Sequence, residues 1–247
     1  MEKVLLLFSG GKDSMLSTCR LVNNGYETNL VAYDNGYELA IENIANCAKR
    51  LIKVKGEEKI KYLGTFSTIG IYRSFFLPLF NMKPSEISSK YGEATISQLN
   101  CLMCRSAMYI YSIILCKILG IKNIAEGARE SQQFVIEQKP MLDLYQELLS
   151  EYSIDLLLPV ISEISDFHVE NELLMNGLVP KTFESQCLLG CPIDKNHPIT
   201  AEVIEGTIDF YLKEILPKIP KLIELNEKPI RLILERNNFN TKSPHML

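Results

Sequence analysis

The chain has 247 residues, 47% of them hydrophobic and 23% charged, which are the values of a globular protein and exclude a disordered or fibrous one. A net charge of −4 excludes a global basic signature for nucleic acid and leaves room only for a local patch. The apolar run before Ser9 is too short for a signal peptide. Residues 107–119, the most apolar stretch, carry Ser112 and Lys117 and are too short to span a bilayer. The expectation is a cytoplasmic chain without membrane contacts, whose seven cysteines are reduced, metal-bound or catalytic instead of disulfide-paired.

In chain order, residues 4–8 form a short apolar run of the kind a buried parallel strand needs. It runs straight into Ser9-Gly10-Gly11-Lys12-Asp13-Ser14, and Met15, Leu16, Cys19 and Val22 then keep helical spacing. Residues 30–33 read as a second strand ended by Asp34-Asn35-Gly36, followed by a helix with Ile41, Ile44, Ala45, Ala48, Leu51 and Ile52 on one face. Residues 60–63 read as a weaker third strand, and residues 64–100 give no clear period. A helix apolar almost all round covers residues 106–119. A fourth strand over 122–125 leads into Glu126-Gly127-Ala128-Arg129-Glu130-Ser131, and a helix carrying Leu142, Tyr145, Leu148 and Leu149 follows. A fifth strand covers 156–160, and a helix over 164–175 stops at Asn176-Gly177.

Strands alternating with helices imply a Rossmann-like α/β fold, a parallel five-stranded sheet with helices on both faces and right-handed crossovers. From His197 onward the pattern is purely helical, so the expected division is a nucleotide-binding domain over 1–197 and a small helical appendage over 198–247. That appendage is the natural place for substrate specificity or homodimer contacts.

The 9–14 string carries the clearest chemistry. Gly10 and Gly11 let the backbone turn sharply and come close to a ligand. The free N–H groups at the start of the following helix favour an anion. Lys12 adds a cation, Ser9 and Ser14 add hydroxyls, and the product is a pyrophosphate cradle. Asp13 has two roles open to it, a ligand to Mg²⁺ beside the phosphates or a cap of the helix. Arg129 is placed to clamp a phosphate in bidentate fashion or to make a surface ion pair. Cys101-Leu102-Met103-Cys104 and the later Cys187 and Cys191 supply enough thiolates for a tetrahedral zinc site or an iron–sulfur cluster. The alternative is four ordinary buried thiols.

The hexapeptide at 9–14 resembles the SGGxDS signature of the PP-loop ATP pyrophosphatases, the adenine nucleotide alpha hydrolase superfamily. That resemblance implies ATP and Mg²⁺ as ligands, cleavage between the α and β phosphates, and transfer of AMP to a substrate oxygen. It implies that Ser9, Gly10, Gly11, Lys12, Asp13 and Ser14 hold the nucleotide, with Lys12 and Asp13 catalytic. It also places Asp34 near adenosine and Gly127 and Arg129 on a second nucleotide-facing loop. The order of SGGKDS, a CxxC-Arg before a long helix, a glycine loop and a downstream cysteine is similar to the tRNA 2-thiolation enzymes. In them a middle CxxC and one later cysteine hold a [4Fe-4S] cluster; Cys101, Cys104 and Cys187 match by position and Cys191 is an extra candidate. A second resemblance, through Tyr33-Asp34-Asn35-Gly36 and Ser185-Gln186-Cys187, is to 7-cyano-7-deazaguanine synthase, a nitrogen-transferring ligase with structural Zn²⁺. The expectations are therefore an ATP-dependent sulfurtransferase acting on a nucleobase, tRNA or small molecule, an amide- or nitrile-forming ligase, or a non-catalytic nucleotide binder. A sulfur or nitrogen donor protein is the implied partner of either enzyme.

Overall fold

The computed structural model describes residues 1–181, 184–189 and 199–237. Strand β1 (Lys3–Leu7) lies at the centre of a five-stranded, wholly parallel sheet with order β4-β2-β1-β5-β6, where β2 is Glu27–Asp34, β4 Ile60–Ser67, β5 Asn123–Glu126 and β6 Asp155–Leu157. Its continuous apolar run follows from that position, because both faces of the strand are covered. Leu5 and Leu7 enter one core with Val31, Tyr33 and Ile124, whereas Val4 and Leu6 enter a second core with Leu30, Ala32 and Ala125. Period-two alternation along the strands thus feeds two hydrophobic layers, one on each side of the sheet.

The second core is roofed by α1 (Lys12–Asn23), α2 (Asn43–Lys55) and α7 (Asp166–Met175). Met15, Leu16, Cys19 and Val22 point into it, as their spacing requires. The first core is roofed by α3 (Ile69–Phe80), α5 (Ile96–Leu119), α6 (Lys139–Ser150) and the helices after Thr200. A short α4 (Pro84–Tyr91) joins α3 to α5. The chain winds outward from β1 through β2 to β4, then crosses back under the sheet to β5 and β6. The winding direction therefore reverses between β1 and β5, which is where open α/β sheets bind ligands.

Several boundaries differ from the sequence reading. The buried helix begins at Ile96 and not at residue 106. Thr95 caps it: its Oγ1 accepts from Gln98 N at 3.2 Å, and Gln98 Oε1 accepts from Thr95 N at 2.8 Å. Cys101 and Cys104 consequently lie within α5 instead of ahead of it. At 24 residues, with an 18-residue stretch of mean hydropathy 1.5, α5 is long and apolar enough to cross a membrane by length and composition. Here it is a core helix, with Leu99, Leu102, Met103, Ile110, Ile113 and Ile114 fully buried against the sheet and its neighbours. The fifth strand is shorter than expected, because the chain turns at residues 159–162. Helix α7 starts at Asp166 under Ser165, whose Oγ accepts from Phe167 N at 3.2 Å.

The C-terminal helices α8 (Ala201–Phe210) and α9 (Ile219–Arg236) share the first core. Ile219, Leu222, Ile223, Ile230 and Leu234 turn inward, and Phe210 meets Tyr91 edge to face at 5.0 Å between centroids. The expected boundary at 197–198 lies outside the described residues, as does Cys191. A two-residue antiparallel pair, β3 (Glu38–Leu39) with β7 (Gln186–Cys187), sets Cys187 opposite Glu38 at the carboxyl end of the sheet.

Candidate functional site

A cavity of about 610 Å³ opens at the carboxyl ends of β1, β2 and β5. At one end is the 9–14 turn. Gly10 holds φ +78°, the left-handed region that favours glycine, and the chain passes from it into α1 with Gly11 as N-cap. No side chain caps that helix. The first intrahelical bond is Met15 N to Gly11 O at 3.0 Å, so the N–H groups of Lys12, Asp13 and Ser14 have no partner within the helix. Ser9 Oγ accepts from Gly11 N at 3.1 Å and Ser14 Oγ donates to Gly11 O at 3.0 Å, which fixes the turn around its own hydroxyls. The loop after β5 presses directly on this helix start. A Cβ at Gly127 would stand 2.7 Å from Ser14 N and 2.8 Å from the Asp13 carbonyl carbon.

The cations of the site are already engaged by carboxylates. Lys12 Nζ reaches Glu170 at 2.8 Å and Asp166 at 3.2 Å, contacts that raise its pKa with Glu170 the largest cause. Arg129 is buried, donates from Nη2 to Asp166 Oδ1 at 2.6 Å, and brings Nε to 3.0 Å from Asp13 Oδ1 without the alignment of a hydrogen bond. Asp13 takes its firm contact on the other oxygen, from Gln132 Nε2 at 2.7 Å. Burial pushes its carboxyl up, against the pull of Arg129. The Glu184 carboxylate lies against the Gly11 backbone, and burial followed by the nearby Asp13 pushes its carboxyl up as well. Arg129 holds Asp166 below its ordinary value, with Lys12 adding to the effect.

At the far end of the same cavity are the cysteines. Cys101 and Cys104 come from one face of α5 and Cys187 from β7, and all three line the wall with Asn35, Glu38 and Asn100. Asn35 Nδ2 donates to Cys104 Sγ at 2.8 Å, and its Oδ1 accepts from Tyr37 N at 3.0 Å, which fixes the orientation of the amide. Burial raises the Cys104 thiol to about 12. Burial pushes the Tyr72 hydroxyl up, and the nearby Tyr37, Cys104, Cys187 and Cys101 add to the effect. Asn100 ties this wall together by accepting from Tyr72 and donating to Leu189 O at 3.4 Å, just beyond β7. Asp34 accepts from Gly36 N at 2.7 Å and hydrogen-bonds Glu38, which lines the cavity beside the neighbouring Asn35. Among the described residues no three Cys, His, Asp or Glu side chains are gathered closely enough to hold a metal ion.

Between the two ends lies a buried polar cluster that sequence reasoning missed. Arg105, directly after Cys104, pairs with Glu126 through Nη1 and stands 3.7 Å from Glu137. Glu137 Oε2 accepts from the backbone N of Arg129 at 3.1 Å, and burial lifts its carboxyl to about 7. Glu126 is 1% exposed, and its Oε1 is buried beside the Tyr109 hydroxyl. A charge closing the fourth strand and another beside a Phe-Val-Ile run are the only local signs of these residues. Asp166 and Glu184 gave less, since only the tertiary fold carries them to the 9–14 turn.

No protein-family model matches the sequence, and no curated protein is similar to it. The crystal structure of a 4-thiouridine synthetase–RNA complex with bound ATP superimposes with a TM-score of 0.63 at 14% identity. The match covers 92% of this chain but only 53% of that structure, so the chain spans about half of its length. The structure of NMN synthetase from Francisella tularensis matches with a TM-score of 0.46 at 13% identity, over 99% of this chain and 90% of that one. A predicted tRNA methyltransferase subunit from Methanocaldococcus jannaschii gives 0.42 at 15% identity, covering 76% and 97%. The first superposition shows the fold: the Rossmann-like α/β architecture expected from the alternation of strands and helices.

Proposed function

We propose that this chain, built on the PP-loop nucleotide-binding fold, is an ATP pyrophosphatase that adenylates a carbonyl oxygen and hands the activated carbon to sulfur. The observation that carries the reading is the single cavity joining the 9–14 turn to Cys101, Cys104 and Cys187. Phosphates lie on the free N–H groups of α1, with Ser9, Ser14, Lys12 and Arg129 around them. The acceptor oxygen attacks the α-phosphorus, the bond to the bridging oxygen of the β-phosphate breaks, and pyrophosphate leaves. Lys12 and the backbone donors stabilise charge that develops on the leaving group. Asp13 would hold Mg²⁺ beside the phosphates only by giving up its ion pair with Arg129 at 3.0 Å; the ion would neutralise charge on the leaving pyrophosphate. The ATP-bound neighbour supports the nucleotide, and the RNA in that complex supports an acceptor carried on nucleic acid.

The cysteine wall supports the sulfur route. Cys101, Cys104 and Cys187 carry the soft donor chemistry of an iron–sulfur or zinc site, but as placed no three such side chains among the described residues lie close enough to hold a metal ion. A cluster would supply a site for sulfide, and zinc would supply only a structural crosslink. Asn35, donating to Cys104 Sγ, holds that sulfur in place for either. The test is calorimetry with Mg²⁺ and a non-hydrolysable ATP analogue, followed by pyrophosphate release and metal analysis of anaerobically purified protein. Analogue binding, AMP formation and iron with labile sulfide support the reading. Stoichiometric zinc moves it to nitrogen transfer of the deazaguanine-synthase kind. Binding without AMP formation leaves a nucleotide sensor, and no binding overturns it altogether.

A further inference from the structure

We infer that the outer face of α7 is where a second copy of this chain docks, as an antiparallel helix pair about a two-fold axis at Asn171. Helix α7 (Asp166–Met175) bears apolar residues on two opposite faces. Val169 and Leu173 enter the second core, as the inner face of a surface helix must. On the outer face Phe167 and Leu174, 69% and 54% exposed, stand seven residues apart. The exposed His168 and Met175, the latter 88% exposed, repeat that spacing, and Asn171 lies at the middle of the stripe. Ile164, 80% exposed, comes just before the Ser165 cap. Four large apolar side chains so exposed present roughly 500 Å² to water, where the surface of a monomer seldom gathers more than a few hundred. With the polar rim that surrounds any such patch, this approaches the ~800 Å² that each partner buries in a stable interface.

The stripe is complementary to itself. A two-fold axis at Asn171 lays α7 along its own reverse, which sets Phe167 against Leu174 of the partner subunit and His168 against Met175 of the partner subunit. The two Asn171 amides then meet. Each can donate to and accept from the other, so the polar residue fixes the register instead of being stranded.

Charge also favours a second copy. The acids that border the stripe, Glu170 and Glu172, are already held, by Lys12 at 2.8 Å and by Arg20 at 2.9 Å. Closing a like face over them leaves neither acid buried without a partner. The helix contains no Lys or Arg, so it offers no cation to an anionic membrane or to a nucleic acid. Helix α9 also bares Leu225, Leu232 and Ile233, but the exposed Arg236 falls along that stripe and would meet its own charge in a symmetric contact.

Sedimentation equilibrium of the unaltered chain over roughly 1–100 µM should show reversible dimerisation, as expected of a contact of this size. Phe167→Lys and Leu174→Glu alter exposed side chains, and circular dichroism checks that both variants fold. Each should raise the dimer dissociation constant at least about 30-fold, the loss of one hot-spot contact. The double variant sets each new cation against the new anion of the partner subunit. It should dimerise at least about tenfold more tightly than the two single effects multiplied would give. Leu225→Glu, on α9, should leave the constant within a factor of about two. A monomer at every concentration overturns the inference, as does binding to phosphatidylserine vesicles that Leu174→Glu abolishes. So does a dimer that both α7 variants leave intact, one that Leu225→Glu disperses, or a double variant without coupling. None of these results bears on binding of the ATP analogue, so the adenylation reading stands or falls separately.

Discussion

Gly127→Ala tests the packing that defines the nucleotide end. The added Cβ would sit 2.7 Å from Ser14 N and 2.8 Å from the Asp13 carbonyl carbon, both backbone atoms, so no side chain can swing aside. Opening the gap to the 3.4 Å of ordinary contact displaces the start of α1 from the β5 loop by about 0.7 Å. Overpacking of this kind costs about 1–3 kcal/mol. For a chain of this length each kcal/mol lowers Tm by about 2–4 °C. The displacement also separates Lys12 and the free N–H groups from Arg129, and a misplacement near 1 Å can cost about 100-fold in rate. Differential scanning fluorimetry reads the first effect, and calorimetry with the ATP analogue together with pyrophosphate release reads the second. Gly70→Ala is the matched control: it adds the same methyl within α3, where nothing lies within 4 Å, and leaves Tm unchanged or slightly raised. A Gly127→Ala protein that melts and binds like the unaltered chain would refute the claim that the two loops are set by backbone contact.

Lys12→Ala and Asp13→Ala should abolish pyrophosphate release with the fold intact, checked by circular dichroism. The Lys12 partners Asp166 and Glu170 are 60% and 43% exposed, so the stability lost with Lys12 stays within about 1 kcal/mol. Arg20→Ala should be destabilising by about 2–4 kcal/mol, because Arg20 bonds Glu172 twice, Glu163 and the Pro159 carbonyl and so ties α1 to the chain around α7. Urea denaturation checks this, and a change below about 0.5 kcal/mol would show the network to be superficial. Stability should also fall as pH rises from about 5 to 7. Glu137, lifted from its ordinary 4.5 to about 7, keeps a proton in the folded state that the unfolded chain has released, and Arg105, Glu126 and Asp13 are the groups that face it. At about 1.4 kcal/mol per pH unit its share approaches roughly 3 kcal/mol. Glu38, raised to about 7 by burial and Asp34, adds in the same direction. Glu137→Gln should flatten the slope of denaturation free energy between pH 5 and 7, and an unchanged slope would refute the assignment.

The hexapeptide, the five strands and their parallel sense were legible because each rests on local signals: a short apolar run, a glycine turn, or a helical period. The start of α5 carried a readable signal too, since Thr95-Ile96-Ser97-Gln98 has capping-box spacing, but the absence of a clear period over 64–100 hid it. That stretch holds α3 with Pro78 inside and α4 with Pro84 at its start, two short helices whose apolar faces are set by the sheet and not by repetition. The acids of the site were illegible for a different reason. Asp166 meets Lys12 across more than 150 residues, and Glu126 and Glu137 meet Arg105 across helix and strand. Nothing in a window of neighbours distinguishes such residues from solvated surface charge. Asn35 shows the same limit: the motif pointed to Asp34, and the fold turned its neighbour toward the sulfur.

One carboxylate, Asp166, touches both Lys12 and Arg129 at the opening of α7. It serves them as a resident counter-ion. On the reading proposed above, an incoming triphosphate does not fill an electrostatic vacancy; it displaces an anion and brings more negative charge than it removes. The displaced group is 60% exposed and returns to solvent at little cost, which leaves the first turn of α7 as the edge of the pocket that yields when a nucleotide arrives.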